Sequence, residues 1–265
     1  MKTNLLIVAV LLLFGACKPK STEIPEEKAT NVVNFSDVKV FKHQGNCENE
    51  KGPCVLADLK FLQVKDSTFT CFEELNTTLQ LAALDCAGLL PDSTTNQAID
   101  MIASVETYFE LFEDFEKDFP ENTQNWEARS NMKLVFQNDS LFSIQTDGYN
   151  SSGGAHPNSF NQILLFDKVG CKQLSVDEIF VQNNELLNVV EKYFRKERNI
   201  PQEQSLNEFG FYFENEQFIL PSNIGIGNDN IAFLYNDYEV GPHAMWSTFF
   251  KIPKNELKSF LKLKF

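Results

Sequence analysis

Apolar residues recur along this chain with two periods, and the period changes from stretch to stretch. From Phe35 it is two: Val38 and Val40 alternate with Asp37 and Lys39, and Leu59 and Phe61 with Asp58, Lys60 and Leu62. Such alternation predicts strands with one buried face. Glu73 to Leu84 changes to helical spacing, with Leu75, Leu79 and Ala82 on one side. A longer helix is predicted next, capped by Thr94 or Thr95. Its apolar positions run Ile99, Ile102, Val105, Phe109, Phe112, Phe115 and Phe119, and its other face carries Asp100, Glu106, Glu110, Glu113, Glu116 and Asp118. That face reads as a solvated one, and Pro120 ends the helix.

Period two returns at Trp126, Ala128, Met132, Leu134 and Phe136. Asn138-Asp139-Ser140 is a turn, and Phe142, Ile144 and Thr146 begin a return strand, so a hairpin is expected. Further strands are predicted at Phe160 to Phe166, Phe209 to Phe213, Ile231 to Tyr235 and Thr248 to Ile252. Ser175 and Glu178 match a capping box ahead of a helix from about Asn184 to Arg198, and a short helix from Lys254 to Leu261 closes the chain. Strands and helices intermix without regular β-α-β alternation, and no internal repeat is present. The expected class is α+β, antiparallel sheets with packed helices.

The N-terminus departs from these amphipathic patterns. Lys2 precedes an unbroken apolar run from Leu5 to Phe14, followed by Gly15, Ala16 and Cys17. Ten apolar residues are too few for a spanning helix and suit the core of a signal peptide. The segment resembles a bacterial lipobox, with Phe14 where Leu is usual. That resemblance implies cleavage after residue 16 and lipidation, with palmitate among the acyl chains, at Cys17. Residues 17–34, polar and carrying Pro19 and Pro25, read as a tether. The expected layout is a signal peptide at 1–16, a tether at 17–34, and two domains at 35–150 and 151–265. The expected location is the bacterial cell envelope, facing the periplasm or on the cell surface.

The 265 residues include 25 Phe and carry a formal net charge of −14. So acidic a chain argues against nucleic acid, whose phosphates need Lys and Arg, and is compatible with a cationic protein partner. Of six cysteines, five remain after Cys17. Export favours disulfides. Cys47 and Cys54, flanking a turn-prone stretch, are the first expected pair, Cys71 and Cys86 the second, and one thiol stays free. The scattered His43, His156 and His243 and the lack of a second ligand-spaced Cys pair argue against zinc. No metal or cofactor is expected.

Two segments stand out: Asp147 to Pro157 (D-G-Y-N-S-S-G-G-A-H-P) and Tyr235 to Trp246 (Y-N-D-Y-E-V-G-P-H-A-M-W). Gly153 and Gly154 permit positive φ or close backbone approach, and Pro157 restricts His156 to an extended conformation. Together with Phe211 to Leu220, these segments resemble the paired extracellular domains of unknown function numbered 4163 and 3298. His243 and Met245-Trp246 depart from that family's pattern. Similar domains form the extracellular part of a lysozyme-binding membrane anti-sigma factor, and others precede a polysaccharide deacetylase domain.

The resemblance implies a non-catalytic binding or sensing module of the envelope, for a lysozyme-like protein or cell-wall material. The candidate binding residues are Tyr149, Gly153, Gly154, His156, Tyr238, His243 and Trp246, and the two segments are expected to form one shared site. Exposed Tyr and Trp suit such a surface. The alternative is a cell-wall glycan or peptide hydrolase, with His156 as base, Asp147 or Glu239 orienting it, and Ser151 or Ser152 as nucleophile. No G-x-S-x-G supports that alternative, so no catalytic residue is assigned and His156 is read as fixing its loop.

Overall fold

The computed structural model describes residues 32–47, 53–90, 100–121, 123–154 and 156–263. The signal segment, Cys17, the tether up to residue 31 and the Thr94-Thr95 cap lie outside the described residues. Strands β1 (Phe35–Gly45) and β2 (Cys54–Val64) form an antiparallel hairpin. Helices α1 (Phe72–Cys86) and α2 (Met101–Asp118) cross over to β3 (Trp126–Gln137), which pairs parallel to β2. β4 (Leu141–Ser151), β5 (Asn158–Asp167) and β6 (Lys172–Gln173) follow, all antiparallel. These six strands lie in one sheet in chain order.

After α3 (Val176–Ile179) and α4 (Asn184–Arg198), a second sheet is built from β7 (Asn223–Ile226), β8 (Asn230–Tyr235) and β9 (Thr248–Pro253), with α5 (Lys254–Leu257) beyond it. The class is α+β, as the periodicities predict.

Leu141–Ile144 of β4 and Ile163–Phe166 of β5 are buried on both faces, because a core lies on each side of them. Phe142, Ile144, Leu164 and Phe166 join Leu75, Leu79 and Ala83 of α1 and Val105, Phe109 and Phe112 of α2. The alternate positions Leu141 and Leu165 enter a second core that includes α4 and the three-stranded sheet. At its centre, Phe194 has the rings of Phe211, Phe213, Phe218 and Tyr235 with centroids 4.9–5.7 Å away. Gly148 lets β4 run against the end of α1: any side chain there would collide with the Cys86 carbonyl.

Several sequence expectations are corrected. Cys47 bonds to Cys54, with Cα atoms 5.3 Å apart, but Cys71 bonds to Cys171, not to Cys86. Cys71 and Cys86 sit at opposite ends of α1, roughly 20 Å apart at 1.5 Å per residue, far beyond disulfide reach. Cys86 is free and buried, and burial pushes its thiol pKa well up. α2 is capped by Asp100, whose side chain accepts from Ile102 N and Ala103 N. Its polar face is partly engaged, since Lys42 pairs with Glu106 and Gln44 donates to Glu113. Ile102 and Phe119 are exposed, not buried.

The alternation of β3 stops after Met132. A register shift between Leu134 and Phe136 leaves Leu134 and Val135 exposed. The Ser175–Glu178 box starts the single-turn α3, while α4 is capped by Asn183. Phe209 to Phe213 is not a strand. Gly210, at φ +111°, turns it so that Phe211 and Phe213 both enter the second core. β7 escaped prediction because all four of its residues are buried, so it shows no alternation.

Candidate functional site

Below its short pairing with β6, β5 has an outer edge whose N–H and C=O groups need partners. Two asparagines supply them. Asn223 of β7 accepts from Ile163 N at 3.0 Å. Asn236, just past β8, accepts from Asn161 N at 2.8 Å and donates to Asn161 O at 2.9 Å. Its side chain thus mimics a strand partner. Its own N–H donates to the Glu239 carboxylate at 2.8 Å. This clamp holds the segment 237–246 beside the start of β5, directly after His156 and Pro157.

The two unusual segments therefore meet. The His156 and His243 rings stack, with centroids 5.5 Å apart and planes at 27°. Tyr238 stacks on His243 at 5.4 Å and 17°, and Trp246 lies tilted against it at 4.7 Å. Asp237 Oδ2 is 3.5 Å from His243 Nδ1, and the Asp237 side chain is only 7 % exposed. Tyr238 and Trp246 are 61 % and 63 % exposed. Both have left-handed backbone, at φ 65° and φ 54°. Trp246 also has ψ 170°, a region that glycine alone occupies readily. Such strain in non-glycine residues concentrates where function needs the side chain.

The other expected residues distribute differently. Gly153 takes φ +80°, and a Cβ there would stand 3.0 Å from Trp126 Nε1 and 3.3 Å from Phe115 Cζ. A Cβ on Gly154 would meet only the His156 carbonyl oxygen, at 3.8 Å. The loop's requirement for glycine falls on Gly153, not Gly154. Tyr149 stands on β4 between Arg129 and Ser159 and makes no ring contact with the patch. Asp147 accepts from Gln145 and faces Lys133 at 3.5 Å. The Ser151 carbonyl accepts from Tyr108 Oη at 3.2 Å.

Among the described residues, His156 makes no hydrogen bond to Asp147, Glu239, Ser151 or Ser152, and no three His, Cys, Asp or Glu groups could jointly hold a metal ion. The sequence reading missed Asp237 and Asn236. The signal for both is the N-D that continues a strand directly into the Y-E-V-G-P segment.

A surface cleft of about 530 Å³ is lined by Phe115, Asp118, Phe119, Pro120, Glu121 and Gly153 among others. The period-three-and-four Phe positions were its only sequence signal, and they were read as core.

Residues 177–255 match the family described as "Protein of unknown function (DUF3298)". Residues 48–159 match the family described as "Deacetylase PdaC", rather than the expected domain 4163. A crystal structure of a DUF3298 family member from Bacteroides fragilis is similar at 18% identity. It has a TM-score of 0.63, over 88% of this chain and 95% of that one. A DUF3298 family protein from Pseudomonas aeruginosa is similar at 18% identity, over 88% and 95% of the two chains, with a TM-score of 0.55. At these identities the likeness establishes a shared fold. No curated protein matches.

Proposed function

We propose that this chain is a lipid-anchored binding module of the bacterial envelope that recognises a cationic protein of the lysozyme type. The observation that carries the reading is the patch of Tyr238, His243, Trp246 and His156. Tyr and Trp are the residues most enriched at interface hot spots, and here both are exposed, against a buried average for such rings. Both stand on backbone with positive φ, Tyr238 inside the turn closed by Glu239 N to Asn236 O and Trp246 at the end of the turn closed by its own N–H to His243 O. The formal charge of −14 supplies the sign of the partner: complementary charge speeds encounter, while buried aromatic side chains hold the complex. The Leu5 to Cys17 segment supports envelope anchoring.

The test is a titration of the full-length chain, in detergent, against lysozyme at low and moderate salt. Binding is expected, with an association rate that falls as salt shortens the Debye length to about 8 Å. Tyr238→Ala with Trp246→Ala should weaken it at least about tenfold, the worth of one hot-spot side chain. No binding at low salt, or an association rate indifferent to salt, removes the reading. Asp237 beside His243 favours a second reading, a hydrolase with an oriented imidazole. Its centre would be His243 rather than His156. Release of product from cell-wall glycan or peptide, lost in His243→Ala, would establish it.

A further inference from the structure

We propose that the open edge of β1 is a docking site, separate from the patch, for an extended basic segment of a partner protein, which adds to the six-stranded sheet as a further strand. β1 stands at the end of that sheet and pairs with β2 alone. Its register runs unbroken over the eleven residues from Phe35 to Gly45, with no bulge and no proline. In such a strand every second residue turns its N–H and C=O away from its neighbour, and these groups are a template for another strand. The far side of the sheet is guarded, since Asn223 and Asn236 take up the bare edge of β5. Along residues 35–43 no side chain among the described residues does the same for β1. Lysines often guard an edge, but both lysines of β1 are drawn off it. Lys39 reaches back to Asp58 of β2 at 3.3 Å and lies over the Phe41 ring at 4.6 Å. Lys42 pairs with Glu106 of α2 and lies over the Phe109 ring at 4.4 Å.

The helix beneath decides what the added strand must carry. Lys42 and Gln44, two residues apart on β1, reach Glu106 and Glu113, so α2 runs alongside the edge strand. Glu106, Glu110 and Glu113, spaced four and three apart on α2, share one face of it. Glu110 is exposed and makes no hydrogen bond or ion pair among the described residues. A strand laid against β1 turns every second side chain to this side of the sheet, and those positions favour lysine or arginine. The alternate positions turn to the outer side, where Phe41 is 52 % exposed and tilts against His43. An apolar side chain suits the cross-strand contact there. A second copy of the chain fits poorly, because two β1 strands side by side bring two rows of glutamates to one edge. The formal net charge of −14 adds to that repulsion and attracts a basic segment. The partner is therefore recognised by basic and apolar residues in alternation over about six positions, the length of an ordinary strand.

The probe is the peptide KVKVKVK, acetylated and amidated, added to the full-length chain in non-ionic detergent. Binding is read by fluorescence anisotropy and by amide hydrogen exchange over residues 35–45. Saturable binding is expected, with exchange over 35–45 slowed. The same peptide methylated at its three central amide nitrogens keeps its charge but cannot pair with an edge, and should bind at least about tenfold more weakly. EVEVEVE should not bind. Glu110→Lys, at an exposed position, should weaken KVKVKVK roughly fivefold. No binding of KVKVKVK up to millimolar levels overturns the proposal. So does equal binding of the methylated or the acidic peptide, or an affinity unchanged in Glu110→Lys. Full protection of 35–45 before any peptide is added also overturns it, whether sedimentation then shows a second copy on the edge or a monomer whose own residues 1–31 cover it. Lysozyme binding at the Tyr238–Trp246 patch is read without peptide, so either idea can fail without the other.

Discussion

Gly153 and His156 are three residues apart, and each serves a different surface. Gly153 withdraws its side chain beside Trp126 and, with Phe115, lines a concave cleft. His156 stacks on the half-buried His243, beside the exposed rings of Tyr238 and Trp246. The cleft is built by subtraction, with a glycine at φ +80° where glycine belongs. The patch is built by imposition, with Tyr238 and Trp246 in backbone conformations that disfavour them. A concave apolar site tolerates an ordinary backbone because burial stabilises its walls. An exposed ring gains little from burial, so only a rigid frame keeps it presented. That frame is the Asn236 clamp on β5.

The clamp is where this comparison breaks most visibly. Asn236→Leu leaves Asn161 N and O without partners and frees the segment 237–246. Two lost hydrogen bonds, each leaving a partly buried group unsatisfied, should cost about 2–4 kcal/mol, read as a lower urea midpoint. The patch should lose lysozyme binding, while the Trp126 indole environment stays native. A cost under about 0.5 kcal/mol would show that the clamp does not hold the segment.

A smaller difference separates the two glycines. Gly153→Ala meets positive φ and the Trp126 ring together and should cost about 1–2 kcal/mol. Gly154→Ala should stay within about 0.5 kcal/mol, the range of surface substitutions. Equal costs would mean that the loop does not rest on Gly153. The sequence could place glycine in this loop but not choose between neighbours, because φ depends on what the loop turns around.

The same limit explains what else was legible. Elements with one buried face, such as β1 and α1, announced themselves through their period, as did the first half of β3. β4 and β5 were still readable, from Phe142, Ile144 and Thr146 and from the run Phe160 to Phe166, whereas β7, with all four residues buried, shows no alternation. The Cys47–Cys54 pair was readable because it is local. Cys71–Cys171 spans 100 residues and depends on how β6 returns to α1, which no spacing encodes. His156, Tyr238, His243 and Trp246 could be singled out as unusual loop residues. The cleft could not, because Phe115 and Gly153 come from different parts of the chain and each reads alone as core or turn.

The finest test concerns Trp246 itself. At φ 54° and ψ 170° its backbone sits where a Cβ costs of order 1–3 kcal/mol and glycine does not. Glycine in turn loses roughly 0.5–1 kcal/mol of chain entropy relative to alanine. Trp246→Ala and Trp246→Gly both remove the ring and its contact with His243, so their difference isolates the backbone. Trp246→Gly should be the more stable by about 1 kcal/mol, measured by urea unfolding, and both should lose the partner equally. If alanine matches or exceeds glycine, position 246 is not strained, and the ring is held by its contact with His243 rather than by the chain. The patch would then differ from the cleft only in shape, not in how the fold maintains it.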